Sequence, residues 1–275
     1  MAQDHWKNTT LNLKPPVRPP WHPSREDAAF MREWTSPVLE KASIRRVLVL
    51  GVTPEIVQLD WPPGAHVVAI DSSPAMIASL WQANASVPSH VACARWQLLP
   101  VKDAQFDAVV GDGSLNALSS LEEYGKVMGE VSRVLKSDGV FVLRCFVRPP
   151  QVETPERVLS KAMDGEFPTT AAFRMRFAFA VADADGSIGL AALRDAFNAL
   201  VPDRDALARS TGWPRQDIDR VDTDKDSRVR LTFPTQSQLV SLSEPVFRVE
   251  DSARGTYTQA EHCPTFLFRP IQQVF

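Results

Sequence analysis

No stretch of this 275-residue chain approaches the roughly 18 consecutive apolar side chains that a membrane-spanning helix requires, so a spanning role is not expected. Positive charge is not concentrated anywhere. Lys and Arg number 30 against 33 Asp and Glu, the formal net charge is -3, and the cationic run expected of a nucleic-acid binder is missing. Cysteine is scarce: Cys93, Cys145 and Cys263 are odd in number and far apart, which fits reduced packing thiols better than a disulfide framework. The five histidines, His5, His22, His66, His90 and His262, show no ligand spacing with one another or with cysteine, so no metal is expected. "DADGSIGLAAL" and "DTDKDSRVRLTF" look like calcium loops, but Val181 and Ala192 stand where the first needs oxygen donors, and Ser227 and Phe233 fail the second. The opening "MAQDHWKNTT" is polar and lacks the apolar segment of a signal peptide, which points to the cytoplasm. These absences leave a small molecule as the expected partner, with neither nucleic acid nor membrane.

A hydrophobic content of 44% is enough to bury a full core, in one large domain or a domain with a cap. Residues 1–24 are polar, and "LKPPVRPPWHPS" reads as an extended arm. Phe30, Trp34 and Leu39 recur at roughly helical spacing over 25–43, where Pro37 is expected to break the helix or divide it in two. Short runs rich in Val, Leu and Ile then predict strands at 46–50, 66–70, 90–95, 106–111 and 139–146. Helical patterns lie between them. The clearest places Leu121, Tyr124, Met128, Val131 and Leu135 on one face, with Gly139 as its stop. Such alternation requires right-handed crossovers and predicts a doubly wound, mostly parallel α/β sheet.

Beyond Pro150 no clear strand is visible until the end. "LAALRDAFNAL" is amphipathic. "FRMRFAFAV" alternates with period two, yet Thr169 or Thr170 can cap it and alanine is abundant, so a helix is expected. "EPVFRVED" and "CPTFLFRP" read as strands returning to the sheet. The expected organisation is an N-terminal arm and helices over 1–43, an α/β core over 44–170, a helical cap insertion over 171–233, and closing strands over 234–275.

Ligands of doubly wound sheets sit beyond the carboxyl ends of the strands, beside the first one. Gly51 follows "VLVL" at that point; Thr53 is a plausible N-cap, and Pro54 suits the first helical position. Asp71 closes the second strand twenty positions after Gly51, the spacing at which an acidic residue meets ribose hydroxyls. Ser72 or Ser73 is expected to cap the next helix, which aims Met76 toward an adenine. A pyrophosphate needs close backbone approach, and Thr53 and Glu55 stand in its way. A sulfonium nucleoside with an amino-acid tail suits this turn better.

Together "VLVLGVTPE", "VVAIDSSPAMI", "WQLLPVKDAQFDAVVGDGSLNAL" and "EVSRVLKSDGVFVLR" resemble the class I S-adenosylmethionine-dependent methyltransferases over residues 45–150, with the two final strands. The resemblance implies a seven-stranded, mostly parallel Rossmann-like sheet whose last strand is antiparallel. It also implies S-adenosylmethionine as cofactor and in-line methyl transfer to a nucleophile on a small molecule. Carried over by position, Gly51, Val52 and Thr53 would lie along the methionine part, and Asp71 with Ser72 at the ribose. Met76, Arg95 and Trp96 would lie about the adenine, and Asp112, Gly113 and Ser114 near the methyl group, Asp112 being the candidate catalytic residue. Val49 and Arg95 occupy places where the family usually has acidic residues.

Candidates for substrate contact are Trp21 and His22 in the arm, and Arg144 and Arg148 leaving the fifth strand. Tyr257 and His262 are candidate proton acceptors. Two other readings stay open: a non-catalytic relative that uses the fold for binding, and a nicotinamide-dependent oxidoreductase, which Thr53 and Glu55 disfavour.

Overall fold

The computed structural model describes residues 6–7 and 19–271; most of the expected proline-rich arm, including His5, lies outside them. Helix α1 (Arg25–Lys41) begins at a capping box, in which Ser24 Oγ accepts from the Asp27 N–H and Asp27 Oδ2 accepts from the Ser24 N–H. It runs through Pro37 rather than breaking there. A proline inside a helix costs about 3 kcal/mol, and burying Met31 and Leu39 against the sheet returns about 1.5–3 kcal/mol for each.

The sheet contains β1 (Arg45–Leu50), β2 (Ala65–Asp71), β3 (Ser89–Cys93), β4 (Phe106–Asp112) and β5 (Leu135–Arg144). After β6 (Ser187–Gly189) and β7 (Arg230–Thr232), which pair only with each other, β8 (Phe247–Ala253) and β9 (Thr265–Pro270) complete it in the order β3-β2-β1-β4-β5-β9-β8. Strands β1 to β5 pair in parallel, whereas β9 is antiparallel to both neighbours. Alternating side chains cover the two faces. Val47, Val49, Val67, Ala69, Val110 and Val142 pack with α1 and the short helix α2 (Pro54–Val57). Leu48, Leu50, Val109, Phe141 and Leu143 pack with Tyr124, Val127, Met128 and Val131 of a later helix, Leu121–Val134. Helix α3 (Pro74–Leu80) follows β2, so that later helix is α4.

Gly139 is not the stop of α4. The helix ends at Val134, and β5 starts at Leu135, which pairs with Phe106 ahead of a bulge. Gly139 lies inside the strand, where a Cβ would stand 3.0 Å from the Asp107 carbonyl, so close backbone approach and not helix capping requires glycine there.

Between β5 and β8 come α5 (Pro155–Met163), α6 (Thr170–Val181), α7 (Leu190–Leu200), α8 (Arg204–Thr211), α9 (Arg215–Asp219) and α10 (Gln236–Ser243). Helix α6 is the ambiguous aromatic segment. Ala172, Phe173, Met175, Phe177, Ala178 and Phe179 are all buried, so most of its circumference is apolar and no helical stripe was visible. Phe173 stacks on Phe177 and tilts against Trp213, both at 5.5 Å between centroids, so this region has its own core. The β6–β7 ribbon was not expected, because three-residue strands carry no readable alternation. Tyr124 Oη and Asn116 Nδ2 each donate to the Thr232 carbonyl at 2.8 Å, joining the ribbon to the sheet domain.

Gly186 enters that ribbon at φ +87°, and a Cβ would lie 2.2 Å from the Phe233 carbonyl oxygen. Gly186→Ala is therefore expected to lose about 1–3 kcal/mol from backbone strain, with the clash adding to it. Thermal unfolding checks this; an unchanged midpoint contradicts the packing of the ribbon.

Candidate active site

The chain reverses its direction across the sheet between β1 and β4, and a cavity of about 660 Å³ opens there beyond the carboxyl ends of the strands. That size suits a nucleoside with a second small molecule beside it. Gly51, Val52, Thr53, Asp71, Ser72, Met76, Arg95, Trp96, Asp112, Gly113 and Ser114 all line it, as do Trp21 and His22.

Gly51 has φ +99°, and its N–H donates to the Ile70 carbonyl at 2.8 Å. A Cβ there would stand 3.8 Å from both Asp71 Oδ2 and the Trp96 ring, so glycine keeps the space between them open. Asp71 is buried and its Oδ1 accepts from the Ser73 N–H at 2.8 Å, which fixes the carboxylate at the end of β2. Trp96 Nε1 donates to the Ile70 carbonyl at 2.6 Å and sets the indole at the edge of the same space. Ser73, not Ser72, caps α3, accepting from the Met76 N–H at 3.1 Å. The Thr53 side chain makes no capping hydrogen bond; its carbonyl accepts from Ile56 and Val57. Arg95 is at the rim, its side chain 72% exposed.

On the opposite side of the turn, Ser114 Oγ donates to the Leu50 carbonyl at 2.6 Å and ties the β4 loop to β1. Gly113, at φ +60°, admits the Phe146 ring to within 2.8 Å of where a Cβ would be.

Asp112 and Arg144 are register partners on β4 and β5 and form an ion pair with both side chains buried. The Arg144 guanidinium also lies 3.4 Å from Asp27, donates to Tyr257 Oη at 3.2 and 3.1 Å, and donates to the carbonyls of Pro20 and His22. Every polar edge of Arg144 is thus engaged within the protein. It does not line the cavity, and neither does Arg148, whose Nη2 donates to the Ala184 carbonyl at 2.6 Å. Both were expected at the substrate. The signal was misleading because a strand-end arginine reads the same whether it faces solvent or a buried carboxylate. Tyr257 accepts from Arg144, and burial pushes its hydroxyl well above the ordinary range. His262 is outside the cavity, with Nδ1 3.2 Å from the Val147 carbonyl, and burial pulls its pKa down.

Several site residues carried no sequence signal. Asp27 and Asn116 are two of them. Asn116 lines the cavity, donates to the Phe146 and Thr232 carbonyls and accepts from the Phe146 N–H, all at 2.8 Å. Arg174 and Asp224 bring an ion pair of 3.0 Å from the insertion to the same cavity. Their partners are distant in sequence, so no local pattern marks them.

The thiols are unconnected to this chemistry. Cys145 and Cys263 are buried, and burial pushes the Cys263 thiol up to about 12, whereas Cys93 is exposed. A thiol reagent such as Ellman's is expected to titrate one cysteine in the native protein and all of them after unfolding; a fast second equivalent in the native state contradicts this burial.

Strand order and switch-point cavity are those of the Rossmann-like methyltransferase fold. Residues 49–143 match the family model described as a methyltransferase domain. No curated protein sequence matches it. Among solved structures it is similar to a Rhodobacter sphaeroides protein described provisionally as a Zn-dependent alcohol dehydrogenase (15% identity, 98% of this chain and 100% of that one, TM-score 0.64). It is also similar to the CcbJ methyltransferase from Streptomyces caelestis (13% identity, 98% of each chain, TM-score 0.57). A third is the N-methyltransferase NodS from Bradyrhizobium japonicum WM9, solved with S-adenosyl-L-homocysteine (12% identity, 98% of this chain and 100% of that one, TM-score 0.52). At such identities the likeness is one of fold. Among the described residues, no three His, Cys, Asp or Glu side chains are grouped so as to hold a metal ion, and no helix is long and apolar enough to cross a membrane.

Proposed function

We propose that this protein transfers the methyl group of S-adenosylmethionine to a small molecule held between the sheet domain and the insertion. The observation that carries the reading is one continuous cavity, lined at one end by Gly51, Asp71 and Trp96 and at the other by Leu193, Asp224 and Leu231. The cofactor end fits a nucleoside. Gly51 keeps open a space that a single Cβ would enter, Asp71 can accept two ribose hydroxyls, and Met76 with Trp96 supplies apolar and aromatic surface for a base. Thr53 stands where a pyrophosphate cradle needs a second glycine, which suits a cofactor without a diphosphate. When bound, S-adenosylmethionine supplies an electrophilic methyl group on a positively charged sulfur.

The other residues have positioning roles. Trp21, packed edge-on against Phe146 at 5.3 Å, covers the cavity from the arm. Asn116 sets the β4 loop against β5 and the ribbon, which keeps the two ends of the cavity in register. Asp112 serves by holding Arg144, and through it the arm, because its carboxylate is already committed to that ion pair. Bringing two reactants together in a dry site is where most of the acceleration in such a transfer arises.

Calorimetry with S-adenosylmethionine and S-adenosylhomocysteine tests the reading; no heat and no thermal shift at millimolar ligand would remove it. Binding without turnover across a broad acceptor panel would favour a non-catalytic binding role instead.

A further inference from the structure

Resting on that reading, we infer that His22 is the general base of the transfer and that Glu55 is its positioning residue. His22 is buried to all but 5% of its surface and lines the cavity. Two of its groups are committed elsewhere. Its carbonyl accepts from Arg144 Nη2 at 3.2 Å, which anchors the arm, and its Nδ1 lies 2.8 Å from Glu55 Oε1. Nε2 has no hydrogen-bond partner among the described residues, so the ring edge left to face the cavity is the one that carries it.

Glu55 determines which nitrogen holds the proton. A carboxylate accepts only, so Nδ1 must donate to it, and the neutral ring then has its lone pair on Nε2. Burial alone would raise the Glu55 carboxyl, but the hydrogen bond from His22 leads the effects that lower it, which keeps the acceptor ionised. Oε2 of Glu55 is buried without a partner among the described residues, so His22 receives most of what this carboxylate offers.

The other charged groups around His22 do not compete. From β4 and β5, Asp112 and Arg144 neutralise each other; from α1, Asp27 faces Arg144 and caps its own helix; Tyr257 accepts from Arg144. Asp224, across the cavity, is paired with Arg174. His22 therefore presents to the cavity a ring nitrogen with no partner among the described residues. It also stands on a segment whose Pro20 and His22 carbonyls Arg144 holds, so the seating of that segment fixes the position of the base.

This assigns a substrate class: an acceptor whose nitrogen or oxygen bears a proton that must leave, an amine or a hydroxyl, rather than a thioether or an aromatic ring nitrogen without hydrogen. The X–H bond breaks and its proton goes to Nε2. The electron pair left on X forms the bond to the methyl carbon, and the pair of the old carbon–sulfur bond departs with sulfur. Solvent later takes the proton from the ring.

Two measurements test the assignment. The first is nuclear magnetic resonance of the protein with isotope-labelled histidine, the His22 signal being identified by its loss in His22→Gln. At alkaline pH, where the ring is neutral, the Nδ1–H tautomer with bare Nε2 is expected, and Glu55→Gln is expected to abolish that preference. An Nε2–H tautomer, or a preference indifferent to Glu55→Gln, overturns the proposal without any acceptor being known. The second uses the amine or phenol that a panel with S-adenosylmethionine returns. His22→Gln is expected to lower kcat about 100- to 10,000-fold, with S-adenosylhomocysteine affinity and acceptor KM retained. Glu55→Gln is expected to lower kcat less and to move the acid limb of the pH–rate profile. Full kcat in His22→Gln overturns the assignment and leaves methyl transfer standing; failure of the unsubstituted protein to bind S-adenosylhomocysteine removes the underlying reading instead.

Discussion

Arg144→Met is expected to destabilise the protein by about 3–5 kcal/mol, the cost of removing one partner from a buried ion pair. The change strands Asp112 and Asp27 as buried carboxylates without their cation and leaves the Pro20 and His22 carbonyls without a donor. Methionine restores much of the volume, so the loss measures charge and hydrogen bonding more than cavity formation. Denaturant unfolding reads it. The pH dependence has a definite sign. Burial lifts the Asp112 carboxyl above its ordinary range, and Arg144 is the main group drawing it back, so without Arg144 it is lifted further. An acid raised in the folded state penalises folding where it is ionised and less where it is protonated. The deficit of the variant should therefore shrink as pH falls, and adding Asp112→Asn should recover part of it at neutral pH. A loss below about 1 kcal/mol, the range of exposed ion pairs, would mean that the arm is not seated as described.

The same variant is expected to weaken S-adenosylhomocysteine binding, since Trp21 and His22 reach the cavity through carbonyls that Arg144 holds. Retained affinity together with lost stability would separate the arm from cofactor binding.

Asp71→Ala is expected to weaken S-adenosylhomocysteine by about 3 kcal/mol or more, because a buried carboxylate that accepts two hydroxyls makes hydrogen bonds of about 1.5–3 kcal/mol each. In affinity that is on the order of 100-fold or more. The carboxylate also accepts from the Ser73 N–H beside the cap of α3, so alanine removes a local structural contact too. Asp71→Asn retains an oxygen for that N–H while giving up charge and one acceptor, and its affinity should fall between those of the alanine variant and the unsubstituted protein. Titration calorimetry resolves the three. Equal affinity in all would place the ribose elsewhere.

The switch-point edge of the cavity was readable because it is local. Gly51, Asp71 and the helix start at Pro74 lie on one strand–turn–helix–strand unit, and short-range spacing is what a sequence displays directly. Five parallel strands and the closing pair were visible for the same reason: the unbroken apolar runs in β1, β4 and β9 follow from burial on both faces. Boundaries were less readable. Leu135 continues the apolar stripe of α4 yet begins β5, because a buried side chain satisfies either element.

Sequence alone determined the layered α/β architecture, the switch-point turn and the carboxylate at the end of β2, since each depends on residues a few positions apart. Only the tertiary structure decided what the arginines and the arm do. Arg144 turned inward because Asp112 on the neighbouring strand and Asp27 on the covering helix converge on it, and Asp27 is 117 positions away. His22 acquired a fixed ring because Glu55, 33 residues on, reaches it from the cofactor turn. A buried charge takes whatever counter-charge the fold brings near, and that pairing is set by packing in three dimensions, not by order along the chain.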